Sequence, residues 1–151
     1  MANDPTLLET IRTHMKQAWK NGDNERRDTL RLVIASVDYA RIANKEELND
    51  SQVMQVIQKE AKQRKESIDE FTKGNRQDLV AKEELELAII SEYLPEELTE
   101  IELTQIIKDV IIETNAADLS DVGIVMKTLM PKLGGRADGK HANILVKELL
   151  S

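Results

Sequence analysis

Three features of this 151-residue chain predict an all-α fold. Apolar residues return every three or four positions in seven successive stretches, strand-like alternation is missing over any useful length, and helix-stopping residues separate the stretches. Composition agrees. Apolar residues make up 40% of the chain, yet Trp19, Tyr39, Phe71 and Tyr93 are its only aromatics. The core must therefore be built from Leu, Ile, Val, Met and Ala, which suit helices better than β-sandwiches.

Asp4 is placed to cap a first helix, with Pro5 where a missing N–H costs nothing, and Leu7, Ile11, Met15 and Ala18/Trp19 share one face. Asn21-Gly22 ends it. Asp23 opens a second helix with Leu30, Val33, Ile34 and Val37 on one side, fading near Asn44. A third starts at Asn49 or Asp50 and presents Val53, Val56/Ile57, Ala61, Arg64, Ile68 and Phe71 before Gly74. A fourth begins after Asn75, with Asp78 in its first turn, and is expected to run to Pro95, whose ring and missing donor halt helical bonding.

Beyond Pro95 lies a compact start signal: Thr99 and Glu102 form a capping box, with Leu98 and Leu103 at the two staple positions. The fifth helix carries Leu103, Ile106, Ile107, Val110 and Ile111, and a turn over Asn115–Leu119 leads to a sixth with Val122, Val125, Met126, Leu129 and Met130. Gly134-Gly135 must break it. The seventh, from about Asp138, buries Ala142, Leu145, Val146 and Leu149. The expected architecture is a four-helix N-terminal domain over residues 1–95 and a small three-helix bundle over 96–151, the latter near the lower size for independent folding.

With 21 basic and 28 acidic side chains the net charge is −7, so the average surface repels phosphate and any nucleic-acid contact needs a local basic patch. The chain has no cysteine, which excludes disulfides, thiol nucleophiles and thiolate metal sites. No apolar run reaches the roughly 18 residues of a membrane span, and Met1-Ala2-Asn3-Asp4-Pro5 lacks the basic and apolar regions of a signal peptide. The cytoplasm is the expected location, with neither membrane nor DNA as a partner.

Catalytic machinery is hard to place. His14 and His141 stand on different predicted helices, and His14, among polar positions, reads as a solvated surface residue. No Glu stands three before either histidine, as a di-iron bundle requires. Glu83, Glu84 and Glu86 read as a solvated acidic face, since adjacent helical positions diverge. Gly134 to Lys140 matches the first seven positions of a phosphate-binding loop, but His141 stands where its hydroxyl belongs and a helical segment precedes it instead of a strand. No catalytic residue, metal site or cofactor is expected.

One basic segment stands out. Residues 122–147 hold Lys127, Lys132, Arg136, Lys140 and Lys147 against Asp138 alone. Gly134, Gly135 and Gly139 let backbone approach a ligand closely, and the start of the seventh helix offers N–H groups to a phosphate. The structural alternative is that the glycines turn the chain and Asp138 caps the helix, consuming those donors. Both readings predict the same residue types. Lys59, Lys62, Arg64 and Lys65 form a second basic group, interleaved with Glu60 and Glu66 for ordinary i,i+4 pairing.

The runs Glu60-Ala61-Lys62-Gln63-Arg64-Lys65-Glu66-Ser67, Tyr93-Leu94-Pro95 with Leu98, Val125-Met126 with Met130-Pro131-Lys132, and Gly135-Arg136-Ala137-Asp138-Gly139-Lys140 resemble those of the freestanding YqeY-like proteins. These share a domain with GatB, the B subunit of the glutamine-dependent amidotransferase that corrects mischarged tRNA. The resemblance covers nearly the whole chain and implies a four-helix domain joined to a three-helix bundle. It implies tRNA docking by Lys132, Arg136, Gly139 and Lys140, which match the GatB tail motif, and it suggests an amidotransferase or aminoacyl-tRNA synthetase as protein partner. Carbon–nitrogen ligase activity with glutamine as amide donor enters only by association, because the larger catalytic part of GatB has no counterpart here. Few exposed aromatics are expected, so recognition by shape and phosphate contact is favoured over base stacking.

Overall fold

The computed structural model describes residues 4–151, so Met1–Asn3, on which the signal-peptide expectation partly rests, lie outside the described residues. Seven α-helices and no strand occur among the described residues: α1 (Leu7–Lys20), α2 (Asn24–Asn44), α3 (Asp50–Lys73), α4 (Gln77–Ser91), α5 (Glu100–Glu113), α6 (Val122–Leu133) and α7 (Gly139–Leu150), with one 3-10 turn at Leu119–Asp121. The chain divides into two compact units, Met1–Leu94 and Pro95–Ser151.

In the first unit the 3.6-residue spacing of apolar positions gives each helix an inward stripe. Ile11 of α1, Leu30, Val33 and Val37 of α2, Val53, Ile57 and Ala61 of α3, and Ile90 of α4 make one buried cluster. Each fully buried Ile or Leu contributes about 1.5–3 kcal/mol. Asn49 caps α3 by a reciprocal box with Gln52, and Asp23 caps α2 by accepting from the Arg26 N–H. The start of α1 differs from the expectation: Thr6, not Asp4, is its cap. Thr6 and Glu9 exchange hydrogen bonds of 3.1 Å, a two-bond arrangement that leaves Pro5 outside the helix.

Helix α4 stops at Ser91, four residues short of Pro95. The chain then tightens through bonds from the Tyr93 N–H to Ile90 O and from the Leu94 N–H to Ser91 O, because the residue before a proline is pushed out of helical geometry. This early exit lets Tyr93 turn inward. Its hydroxyl lies 2.6 Å from His14 Nδ1, so His14 is half-buried against a partner 79 positions away and is not the solvated histidine expected. Desolvation raises the Tyr93 pKa above the ordinary phenol value, opposed by the nearby Arg26 guanidinium.

A second correction concerns Glu86, which does not lie on a solvated acidic face. The buried Arg64 guanidinium donates to Glu60 Oε2 at 2.7 Å and to Glu86 Oε2 at 3.1 Å. Ser36 of α2 donates to the other Glu60 oxygen at 2.7 Å, so α2, α3 and α4 meet on one charged network. Every buried polar side-chain atom among the described residues finds a hydrogen-bond partner.

The second unit is built around Leu103, Ile107 and Val110 of α5, Val125, Leu129 and Leu133 of α6, and Ala142, Val146 and Leu150 of α7. Thr99 and Glu102 form the capping box of α5, and the staple pair holds, with Leu103 buried and Leu98 packed on the same cluster. Bonding to the Thr99 hydroxyl and backbone keeps the Glu102 carboxyl below its ordinary pKa.

Candidate nucleic-acid interface

The basic segment begins in α6, whose last turn contains Pro131 without breaking. Gly134 (φ 55) and Gly135 (φ 78) then reverse the chain in left-handed geometry that side chains disfavour. Arg136 follows, and the backbone on either side of it is tied down: its N–H donates to Leu133 O and its carbonyl accepts from the Leu98 N–H, both at 2.9 Å. The Arg136 Nε–H donates to the Glu96 carbonyl at 2.9 Å. This guanidinium clamps the entry of the unit to the α6–α7 loop.

Asp138 caps α7 by accepting from the Lys140 N–H at 3.2 Å. An anion approaching that helix start meets a carboxylate already in place, so the phosphate-binding reading of the α7 start loses its donor at Lys140. The loop from Gly134 to His141 follows a helix, the wrong context for a nucleotide-binding loop. Gly139 has a packing role: a Cβ there would stand 3.3 Å from the Met130 methyl, which lies across it.

Of the four residues expected at an RNA site, two cations are engaged within the unit, Arg136 as above and Lys132 in an ion pair with Glu113. Gly139 carries Met130. Lys140 is exposed and is joined by Lys127 and Lys147, which the motif comparison did not single out; none of the three ammonium groups has an ion pair among the described residues. Lys140, Ile144 and Lys147 follow steps of four and three along α7, so they share one outward side. Simple residue counting over 122–147 contains this signal, because it ranks neither motif nor loop.

Charge within the second unit is strongly divided. Residues 95–121 hold eight acidic side chains against Lys108, whereas 122–147 hold five basic against one acidic. His141 lies at the border, its Nε2 2.7 Å from Glu100 of α5, and that carboxylate raises the imidazole pKa above its ordinary value. Among the described residues no helix is long and apolar enough to cross a membrane, and no group of three His, Asp or Glu converges to hold a metal ion.

In the first unit Trp19 and Tyr39 are exposed, contrary to the expectation of few exposed aromatics. The Arg31 guanidinium covers the Trp19 ring at 5.8 Å. Composition gives no warning of this, because the burial of apolar residues is a one-way rule.

Comparison with known proteins places these features in a family. The chain is 28% identical over 147 residues to the Altered inheritance of mitochondria protein 41 of Pyrenophora tritici-repentis, covering 95% of this chain and 81% of that protein. It is 31% identical over 97 residues to a protein of Schizosaccharomyces pombe named only as uncharacterized, covering 64% of this chain and 79% of that one. With the Altered inheritance of mitochondria protein 41 of Kluyveromyces lactis it shares 34% identity over 87 residues, 57% of this chain and 47% of the relative. A family model described as Yqey-like protein matches residues 8–150. The chain, matched from the first turn of α1 to the end of α7, belongs to the YqeY-like family.

Proposed function

We propose that this protein is an accessory module that docks structured RNA, foremost tRNA, through the basic α6–α7 segment of its second unit. The observation that carries the reading is the division of charge: three exposed, unpaired lysines lie on α6 and α7 of a unit whose preceding half is acidic. Phosphate contacts supply affinity through counterion release and need no sequence readout. Arg136, bonded to Glu96, shapes the loop, while Lys140 with Lys127 and Lys147 meets phosphate; Lys132 joins them when it exchanges Glu113 for a phosphate oxygen. The acidic half sets orientation by repulsion.

The resemblance to the GatB tail supports tRNA over other structured RNA. Titration of total tRNA at low and moderate salt tests the reading, with the Lys127→Ala/Lys140→Ala/Lys147→Ala variant beside the wild type. Saturable, salt-sensitive binding that the variant weakens is the expected result. Equal binding by both would remove the assignment of the site, and no binding at low salt would remove the function.

A second reading, docking on an amidotransferase or aminoacyl-tRNA synthetase, draws on Ile101 (83% exposed) and Ile112 (75% exposed). They lie about three turns apart and therefore on one side of α5. A partner retained after nuclease treatment of the complex would favour it over RNA bridging.

A further inference from the structure

Trp19 is the single tryptophan of the chain, and it stands 61% exposed near the end of α1. The helix around it is basic: residues 10–22 hold Arg12, Lys16 and Lys20 and no acidic side chain, in a chain of net charge −7. Arg12, Lys16 and Trp19 follow steps of four and three and so share one side of α1, with Lys20 one turn beyond Lys16. Helix α2 runs back along that side. Its Arg31 reaches the Trp19 ring and its Asp38 takes the Arg12 guanidinium at 3.4 Å, the reversed order of antiparallel neighbours. The α2 carboxylates on either side of Arg31 are bonded already, Asp28 by Arg27 at 2.8 Å and Asp38 by Arg12. Lys16, Lys20 and Arg31 are exposed and have no ion pair among the described residues, Asp28 acting on Arg31 only through space. The Arg31 guanidinium lies 5.8 Å from the ring centre, close to the limit of about 6 Å for cation–π attraction, so it steadies the indole without being stacked on it.

We propose that Trp19 is a stacking platform for an unpaired nucleotide, whose flanking phosphates are met by Lys16, Lys20 and Arg31. Single-strand sites are built from these two parts: an aromatic face that accepts any base, and cations beside it that hold the backbone. Charge selects this ligand over an apolar protein surface. Covering the indole with such a surface would bury the three cations around it without partners, which is costly, whereas a nucleotide satisfies ring and cations together. The site belongs to the first unit and goes beyond the docking of structured RNA by α6 and α7, from which it takes only the choice of RNA as the probe.

A single tryptophan lets the site report on itself. Titrating the full chain with a short single-stranded oligoadenylate RNA at low salt is expected to quench the Trp19 fluorescence saturably, and added salt to reverse the quenching. The Lys127→Ala/Lys140→Ala/Lys147→Ala variant is expected to keep that quenching. In its background, where α6 and α7 no longer contribute, anisotropy of a labelled oligoadenylate is expected to show binding about tenfold weaker on adding Trp19→Ala. Adding Lys16→Ala/Lys20→Ala/Arg31→Ala instead is expected to lower both the affinity and its salt dependence. Circular dichroism checks that the variants, all at exposed positions, retain the helix content of the wild type. No quenching at low salt overturns the proposal, as does an affinity unchanged by Trp19→Ala. A Trp19 spectrum that responds to anionic phospholipid vesicles and not to the oligoadenylate overturns it in favour of a membrane surface. Because quenching reads α1 while the salt slope of tRNA binding reads α6 and α7, either site can fail without the other.

Discussion

Replacing Arg64 by Met leaves Glu60 and Glu86 facing one another without the guanidinium that now bonds to both. Breaking a buried charge network by removing one member costs about 3 kcal/mol or more. Urea unfolding of Arg64→Met should show a loss of that size, and a loss below about 1 kcal/mol would mean the network relaxes freely. At His141 the prediction concerns pH. Its folded pKa is raised by Glu100, so the pair's contribution is complete below the ordinary histidine range and disappears as pH rises through the raised value. Proton NMR titration of Glu100→Gln should return the imidazole toward its ordinary midpoint; an unmoved midpoint would assign the shift elsewhere. These residues also mark the limit of sequence reading. Arg64 with Glu60 follows local i,i+4 spacing, but Glu86 and the Tyr93 partner of His14 are brought in by the fold from 22 and 79 positions away.

Helix boundaries follow short-range chemistry and were correspondingly legible. Asp23, Asn49 and Thr99 cap the helices that their positions announce. At α1 two start signals compete, and the reciprocal Thr6–Glu9 box prevails over Asp4-Pro5. At α4 proline acts from a distance, ending the helix at Ser91. Two substitutions test the element scale. Thr99→Ala removes the α5 cap and should cost about 1 kcal/mol in thermal or urea unfolding. Gly134→Ala meets no steric obstacle, but its φ of 55 should cost about 1 kcal/mol through backbone geometry alone. Unchanged stability in Gly134→Ala would mean that the α6–α7 turn readily adopts another path.

Across the molecule, the all-α class was legible because helical periodicity and stop residues repeat along the entire chain. The basic segment was legible as a count of charges. Which lysines remain available was not, since Lys132 finds Glu113 19 positions away and Arg136 finds the Glu96 carbonyl 40 positions away. The same long-range pairing turns a motif into an anchored loop with exposed cations around it. An acidic chain that uses such a segment to hold RNA should bind weakly and lose affinity steeply with salt.

The salt dependence of tRNA binding therefore tests the central claim most directly. The logarithm of the association constant, plotted against the logarithm of salt concentration, should be linear and negative for the wild type. In the Lys127→Ala/Lys140→Ala/Lys147→Ala variant its slope should shrink by about one for each lysine that contacts phosphate, to a total of about three. A variant whose slope and affinity match the wild type would contradict the assignment of RNA docking to α6 and α7.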